Sequence, residues 1–344
     1  KPMRGQILFK GESISGLEPH QMAERGLAHV PMGRQLFPNL SVKDNILLGA
    51  YLPRIRDHRE KNLDKVFSLF PDLEKFANSY AGSLSGGQQQ MVAIGRALML
   101  EPDLLILDEP TSVLTPQAVE KLFVVLKQLA SEGCSILYIS HKLHEIRELC
   151  TACTVLRGGK VTGYCNPQEE SNASLSRLMI GAEPPALQYR EVQTGATVLH
   201  VNGLTLKKQD QFGVDLIDMQ LEVRAGEVVG IAGVSGNGQQ ELLYALSGED
   251  TRAHPDMIHV AGKPAGRLNP SQRRALGLHF VPEERLGRGA VPTMGLAHNM
   301  LLTRNDAVGK GGWLSIQKLE AHAADIIRRF GVKAGGPNAL AKSL

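Results

Sequence analysis

Apolar and polar positions fall into a few distinct patterns along the chain, and each predicts an element. Asp103–Pro110 reads DLLILDEP, four large apolar residues (Leu104–Leu107) running into two carboxylates. A short continuous apolar run of this kind predicts a buried parallel strand whose C-terminal edge presents acids. Ile136–Ile139, within SILYISHKLHEI, predicts a second such strand ending at Ser140-His141. In LSGGQQQMVAIGRALM, residues Leu84–Met99, the apolar positions Met91, Ile94 and Leu98 share one helix face behind a Ser-Gly-Gly start. Thr197–Leu206, TVLHVNGLTL, alternates as a strand does. The apolar run EVVGIA (Glu227–Ala232) leads into GVSGNGQQEL, which predicts strand, glycine loop and helix in that order. The class is therefore α/β, with mostly parallel core sheets, smaller β portions and a helical insert around Pro53–Ser79.

The pattern also repeats. GLAHVP at Gly26–Pro31 returns as GLHFVP at Gly277–Pro282, an offset of 251 that also aligns Ile7 with Ile258, Gly11 with Gly262, Pro19 with Pro270 and Arg34 with Arg285. NILL at Asn45–Leu48 returns as NMLL at Asn299–Leu302 at offset 254, and AGSL at Ala81–Leu84 returns as AKSL at Ala341–Leu344 at offset 260. An ordered, slowly drifting series is what duplication leaves behind. The expected organisation is a first domain over 1–185, a polar, proline-containing linker over 186–196 and a second domain over 197–344. Carrying Gly233–Gln240 back by 251 places the first copy's glycine loop upstream of Lys1, so the chain reads as cut from something longer.

Composition adds exclusions. With 344 residues, 42% hydrophobic and 21% charged, the chain is an ordinary globular one with room for two cores. A net charge of +3 is too small to argue for nucleic acid. No apolar run approaches the ~18 residues that span a bilayer. Cys150 and Cys153 form a lone C-x-x-C, which favours reduced structural thiols over zinc.

The candidate chemistry sits at element ends. Ser85, Gly86, Gly87 and Gln88 open a helix whose exposed N–H groups suit anionic oxygens, although a plain capped helix would look the same. Asp108 is the candidate Mg²⁺ ligand and Glu109 the candidate general base, against the alternative of a solvated acidic turn. His141, 33 residues after Asp108, can reach a γ-phosphate from its strand end or be an ordinary loop residue. His144 reads as surface. The loop Gly233, Ser235, Gly236, Asn237, Gly238, Gln239, Gln240 has the G-x-x-x-x-G spacing of a phosphate cradle, yet Gln239 and Gln240 stand where Lys and Ser or Thr belong.

LSGGQ, LLILDEPT and ISHKL, in this order, resemble the signature, Walker B and switch-histidine motifs of ABC-type ATPases, and the repeat extends the resemblance to essentially the whole chain. The resemblance implies ATP and Mg²⁺ as ligands, tandem domains that pair with each other around two nucleotides, and Glu109 and His141 as catalytic groups. It also implies integral-membrane permease subunits as partners, a substrate-binding protein as an indirect one, and a peripheral place on the cytoplasmic face of the membrane. A loop without its lysine keeps a backbone nest but loses a cation and a metal ligand, so the second site is expected to be structural or weak. Met32 departs from the Gln or Glu usual after the first strand, and Thr115 stands where many relatives have Asp.

Two subfamilies are represented. GRQLFPNLSVKDNILLGAY followed by AGSLSGGQQQMVAIGRALM, within residues 1 to about 100, resembles the single-domain ATPases of branched-chain amino-acid importers, whereas LLILDEPTSVLTPQ through GVSGNGQQELLYALSGED resembles the tandem sugar/nucleoside importers. Import of a simple sugar or nucleoside is the first expectation. A branched-chain amino-acid importer and a non-catalytic nucleotide-binding module are the alternatives.

Overall fold

In a computed structural model, residues 5–181, 193–234, 236–304, 309–310 and 313–344 are described. The contacts divide the chain into two compact units, Lys1–Glu191 with Ala232–Asn237, and Val192–Ile231 with Gly238–Leu344. Most of the expected linker, and Ser235 of the glycine loop, lie outside the described residues.

The first unit opens with a small hairpin, β1 (Leu8–Phe9) and β2 (Glu12–Ser13), then α1 (Pro19–Glu24) and β3 (Leu27–Val30). A helical segment follows: α2 (Val42–Leu47), α3 (Arg59–Leu69), α4 (Pro71–Glu74) and α5 (Gly86–Leu98). Then come β4 (Leu104–Asp108), α6 (Pro116–Ser131), β5 (Ser135–Ile139), α7 (Leu143–Leu149), the hairpin β6 (Cys153–Arg157) and β7 (Lys160–Cys165), and α8 (Asn172–Ile180). Strands β3, β4 and β5 form a parallel sheet in that order, with Leu27–Val30 paired to Leu104–Leu107, and Leu104–Asp108 paired to Ser135–Ile139. The central strand is apolar because both its neighbours and the flanking helices bury it, and Leu105 and Leu107 are fully enclosed. Helix α6 covers the sheet with Leu122, Phe123, Val125, Leu126 and Leu129. Thr115 is its N-cap, accepting from the Ala118 N–H, a role that Asp also fills.

Helix α5 begins as the sequence predicts, with Ser85 and Gln88 closing a reciprocal capping box. A full turn of it, Val92, Ala93, Ile94 and Gly95, is buried, and a Cβ at Gly49 would stand 1.9 Å from the Arg96 carbonyl oxygen. Only glycine lets the chain after α2 approach α5 this closely.

The second unit holds β8 (Thr197–Leu206), β9 (Leu216–Arg224), α9 (Gln239–Ser247), β10 (Ile258–Val260), β11 (Lys263–Pro264), α10 (Pro270–Ala275), α11 (Leu296–Leu301), the hairpin β12 (Gly309–Lys310) and β13 (Trp313–Leu314), and α12 (Ile316–Arg329). Its sheet is antiparallel, ordered β11-β10-β8-β9. Val201, Leu204, Leu216, Leu242 and Ile258 form its core. Arg273 is wholly buried there. Its guanidinium donates to the carbonyls of Ala245 and Leu246, which close the C-terminal end of α9, and to those of Gly266 and Leu268. Burial pulls its pKa down to about 10.

The duplication recurs in the hydrogen bonds. Asn45 Nδ2 donates to the carbonyls of Phe37, Leu40 and Ser41, while its Oδ1 accepts from the Phe37 N–H. Asn299 does the same with Val291, Met294 and Gly295, at the same offset of 254. The bridge Ser41–Tyr80 likewise returns as Gly295–Leu340.

One expectation meets a different local structure. Leu278–Val281, which the repeat aligns with β3, and Glu227–Ala232, expected as a strand from its apolar run, are unpaired among the described residues, and Val228 and Val281 are 97% and 90% exposed. A parallel strand is stabilised by neighbours bonded along both edges. Leu27–Val30 has such a neighbour in β4, whereas no strand pairs with Leu278–Val281 among the described residues.

Candidate functional site

The C-terminal edge of the parallel sheet gathers three of the predicted residues. Asp108 ends β4 in register with Ile139, and the next residue, Glu109, donates its N–H to the Ile139 carbonyl at 3.0 Å. Glu109 does so in the left-handed region, at φ +46°. A non-glycine residue there carries backbone strain, which persists where surrounding bonds hold it and clusters at functional sites. The bonds here are specific. Glu109 Oε1 accepts the His141 backbone N–H at 2.9 Å and lies 2.7 Å from His141 Nδ1. The Glu109 side chain is 15% exposed and the His141 ring 74%, so the carboxylate is sheltered beneath an open imidazole. The Asp108 carboxylate has no hydrogen-bond or ion-pair partner among the described residues. His144 is exposed, as expected.

A carboxylate with unused oxygens at a strand edge, next to a second one held against a histidine, suits a hard divalent cation and an activated water. Mg²⁺ fits this donor set. Asp108 would hold it, directly or through water, and Glu109 is placed for proton abstraction.

Beneath this pair lies a buried polar cluster that the motif reading missed. Glu145, on α7, is 1% exposed. It accepts from Thr111 Oγ1 at 2.7 and 2.8 Å and from the Tyr138 hydroxyl at 2.6 Å, with Lys142 Nζ at 3.2 Å. Lys142 Nζ also donates to Thr111 O and Oγ1, both at 3.0 Å. Ser140 Oγ stands between the two acids, 3.4 Å from Glu109 Oε2 and 3.5 Å from Glu145 Oε2. Burial raises the Glu145 carboxyl, but the donors from Tyr138, Thr111 and Lys142 outweigh it and hold the group below its ordinary value. Burial, then the neighbouring Glu145 carboxylate, pushes the Tyr138 phenol far up. The sequence does carry one signal: an acid within the apolar stripe of LHEIREL, where α7 turns Ile146 inward.

The Ser85 and Gln88 side chains are engaged within their own helix start. Ser85 Oγ accepts from the Gln88 N–H and Gln88 Oε1 accepts from the Ser85 N–H, so both side chains serve the cap. What Gly86 and Gly87 offer is backbone. A Cβ at Gly87 would meet Leu114 at 3.2 Å, and the Gly86 carbonyl accepts from Arg34 at 3.4 Å.

In the glycine loop, Gly236 and Gly238 take φ of +90° and +96°, which only glycine adopts without strain. Gly238 is the N-cap of α9. Asn237 Nδ2 donates to the Val234 carbonyl at 2.9 Å. Gln240 turns along its own helix to the Tyr244 hydroxyl. Gly233 is exposed, and Gln239 begins the helix. Gly236 and Gly238 thus each take a backbone conformation that a phosphate cradle uses, while the Gln240 side chain points along the helix.

The four cysteines carry free thiols. Cys153 and Cys165 face each other across β6 and β7, and burial, then the Cys165 thiol, pushes Cys153 up to about 11.

The family model for ABC transporters matches residues 1–112. A ribose import ATP-binding protein of Shouchella clausii is 30% identical over 352 residues, covering 99% of this chain and 68% of the relative. A glucose import ATP-binding protein of Haloferax volcanii is 34% identical over 364 residues, covering 96% of the chain and 66% of the relative. A nucleoside import ATP-binding protein of Lactococcus lactis subsp. cremoris is 32% identical over 357 residues, with 100% of the chain and 69% of the relative covered. The chain thus spans about two thirds of the length of these relatives.

Proposed function

Because this chain belongs to the ATP-binding proteins of ABC transporters, we propose that it hydrolyses ATP to energise import of a simple sugar or nucleoside through integral-membrane permease subunits. The observation that carries the catalytic part is Glu109, held in a left-handed backbone at the sheet edge with its Oε1 on both the N–H and Nδ1 of His141. In this reading Glu109 accepts the proton of the attacking water, and His141 orients Glu109 and meets the γ-phosphate. Mg²⁺, when bound at Asp108, neutralises charge on the phosphate oxygens. Ser85, Gly86, Gly87 and Gln88 offer a helix N-terminus to a nucleotide held by a phosphate loop.

The two copies are proposed to pair around two nucleotides, over domains 1–185 and 197–344. The site that uses Gly233, Gly236, Asn237, Gly238, Gln239 and Gln240 binds without fast turnover, since neither glutamine supplies a cation or a metal-binding hydroxyl. Ser235 would belong to that loop but lies outside the described residues. No helix among the described residues is long and apolar enough to cross a membrane. We place the protein peripherally on the cytoplasmic face, with the permease docked near Met32–Asn45, where Met32, Phe37 and Leu40 are exposed. A substrate-binding protein acts on it only through the permease.

Glu109→Gln tests the assignment. In the full-length protein it should lower ATP turnover by about 100-fold or more while ATP affinity persists. Turnover equal to wild type would remove Glu109 from the mechanism.

A further inference from the structure

The Glu145 cluster touches the reactive pair from both sides. Thr111 lies two residues after Glu109, in the turn that leaves β4. Tyr138, Ser140 and Lys142 flank Ile139 and His141 in the chain. Glu145 therefore bonds to residues on each side of the Glu109 N–H to Ile139 carbonyl hydrogen bond, and to residues before and after His141. A carboxylate this deeply enclosed is costly unless each oxygen finds donors, and here Thr111, Tyr138 and Lys142 supply them. A satisfied buried network of this kind has one low-energy arrangement, so it fixes the backbones it joins.

The one buried acid of α7 reaches back three residues to Lys142, seven residues to Tyr138 on β5, and across to Thr111 in the turn after β4. Ser140 extends the contact to the reactive carboxylate. Its single hydroxyl proton serves either Glu109 or Glu145, and its oxygen accepts the Lys142 N–H at 3.1 Å. We infer that Glu145 is a positioning residue for hydrolysis. It clamps the turn carrying Glu109 to the strand end carrying His141, so that Glu109 Oε1 stays on the His141 N–H and ring.

This inference rests on the ATPase reading above, and the experiment separates the two. Steady-state ATP hydrolysis by the full-length protein is measured for wild type, Glu109→Gln, Glu145→Gln and Tyr138→Phe, with melting temperature followed in parallel. Glu145→Gln keeps the shape but removes the charge opposite Lys142. It should lower kcat by about 10- to 100-fold, as small misplacements of reacting groups do, with KM for ATP within about twofold of wild type. Tyr138→Phe removes one donor, keeps the edge-on packing against Phe123, and should lower kcat less, again with KM unchanged. It carries the test alone if Glu145→Gln does not fold. The inference is overturned if kcat of these variants stays within twofold of wild type while Glu109→Gln is inactive. It is equally overturned if kcat, KM and melting temperature shift together, which is the mark of general loosening. Glu109→Gln turning over like wild type sinks the ATPase reading itself, and this inference with it.

Discussion

At the scale of single residues, the site is a contrast between two acids. Glu109 is strained in backbone and open through its partner histidine, whereas Glu145 is enclosed and saturated with donors. The pH behaviour of Glu145 follows from its donors. The Glu145 carboxyl is held below its ordinary value of 4.5. Its contribution to folding is therefore complete above that pH and is lost as pH falls through the lowered value. Urea titrations of wild type and Glu145→Gln should show a stability gap at neutral pH that narrows on acidification; a gap that widens toward acid would reverse the assigned direction. Asp108, Glu109 and His141 were legible in the sequence because each ends an apolar run, and strand ends are readable. Glu145 was not, because its donors come from Thr111 and Tyr138, which reach it only once β4, β5 and α7 have packed.

At the scale of elements, the two asparagines give a controlled comparison. Asn45 is fully buried and Asn299 partly so, with the same pattern of partners. Asn45→Ala strands a buried N–H and several carbonyls and should cost about 1–3 kcal/mol. Asn299→Ala should cost less, because water reaches the vacated groups. Chemical denaturation of each variant checks the order, and the reverse order would refute burial as the cause. The glycine loop gives a second case. Gln239→Lys alone should leave the rate at its wild-type level, because Gln240 still supplies no metal-binding hydroxyl; a doubling of turnover would contradict that. The NILL and NMLL match made the shared helical segment legible in advance. The unpaired state of Glu227–Ala232 was not legible, because periodicity reports what a segment favours, not whether a neighbour strand is present to bond it.

At the scale of the whole molecule, the parallel sheet has consequences for solubility. Among the described residues β5 is the last strand of its sheet, and Leu137 and Ile139 are half-exposed along it. An open apolar strand edge pairs with whatever strand it meets. The 344-residue chain should therefore self-associate in solution, and Leu137→Lys should reduce this in light scattering; unchanged association would place the contact elsewhere. The duplication has a further reach. Asn45 and Asn299 each bind the same three carbonyls of their own segment, and the bridges Ser41–Tyr80 and Gly295–Leu340 close both segments at the same place. Each segment thus carries its own internal frame of hydrogen bonds. A recombination joint placed just before Phe37 and Val291 would exchange them as ready-made parts, so a gene could replace the surface borne by one copy without redesigning the catalytic sheet beneath it.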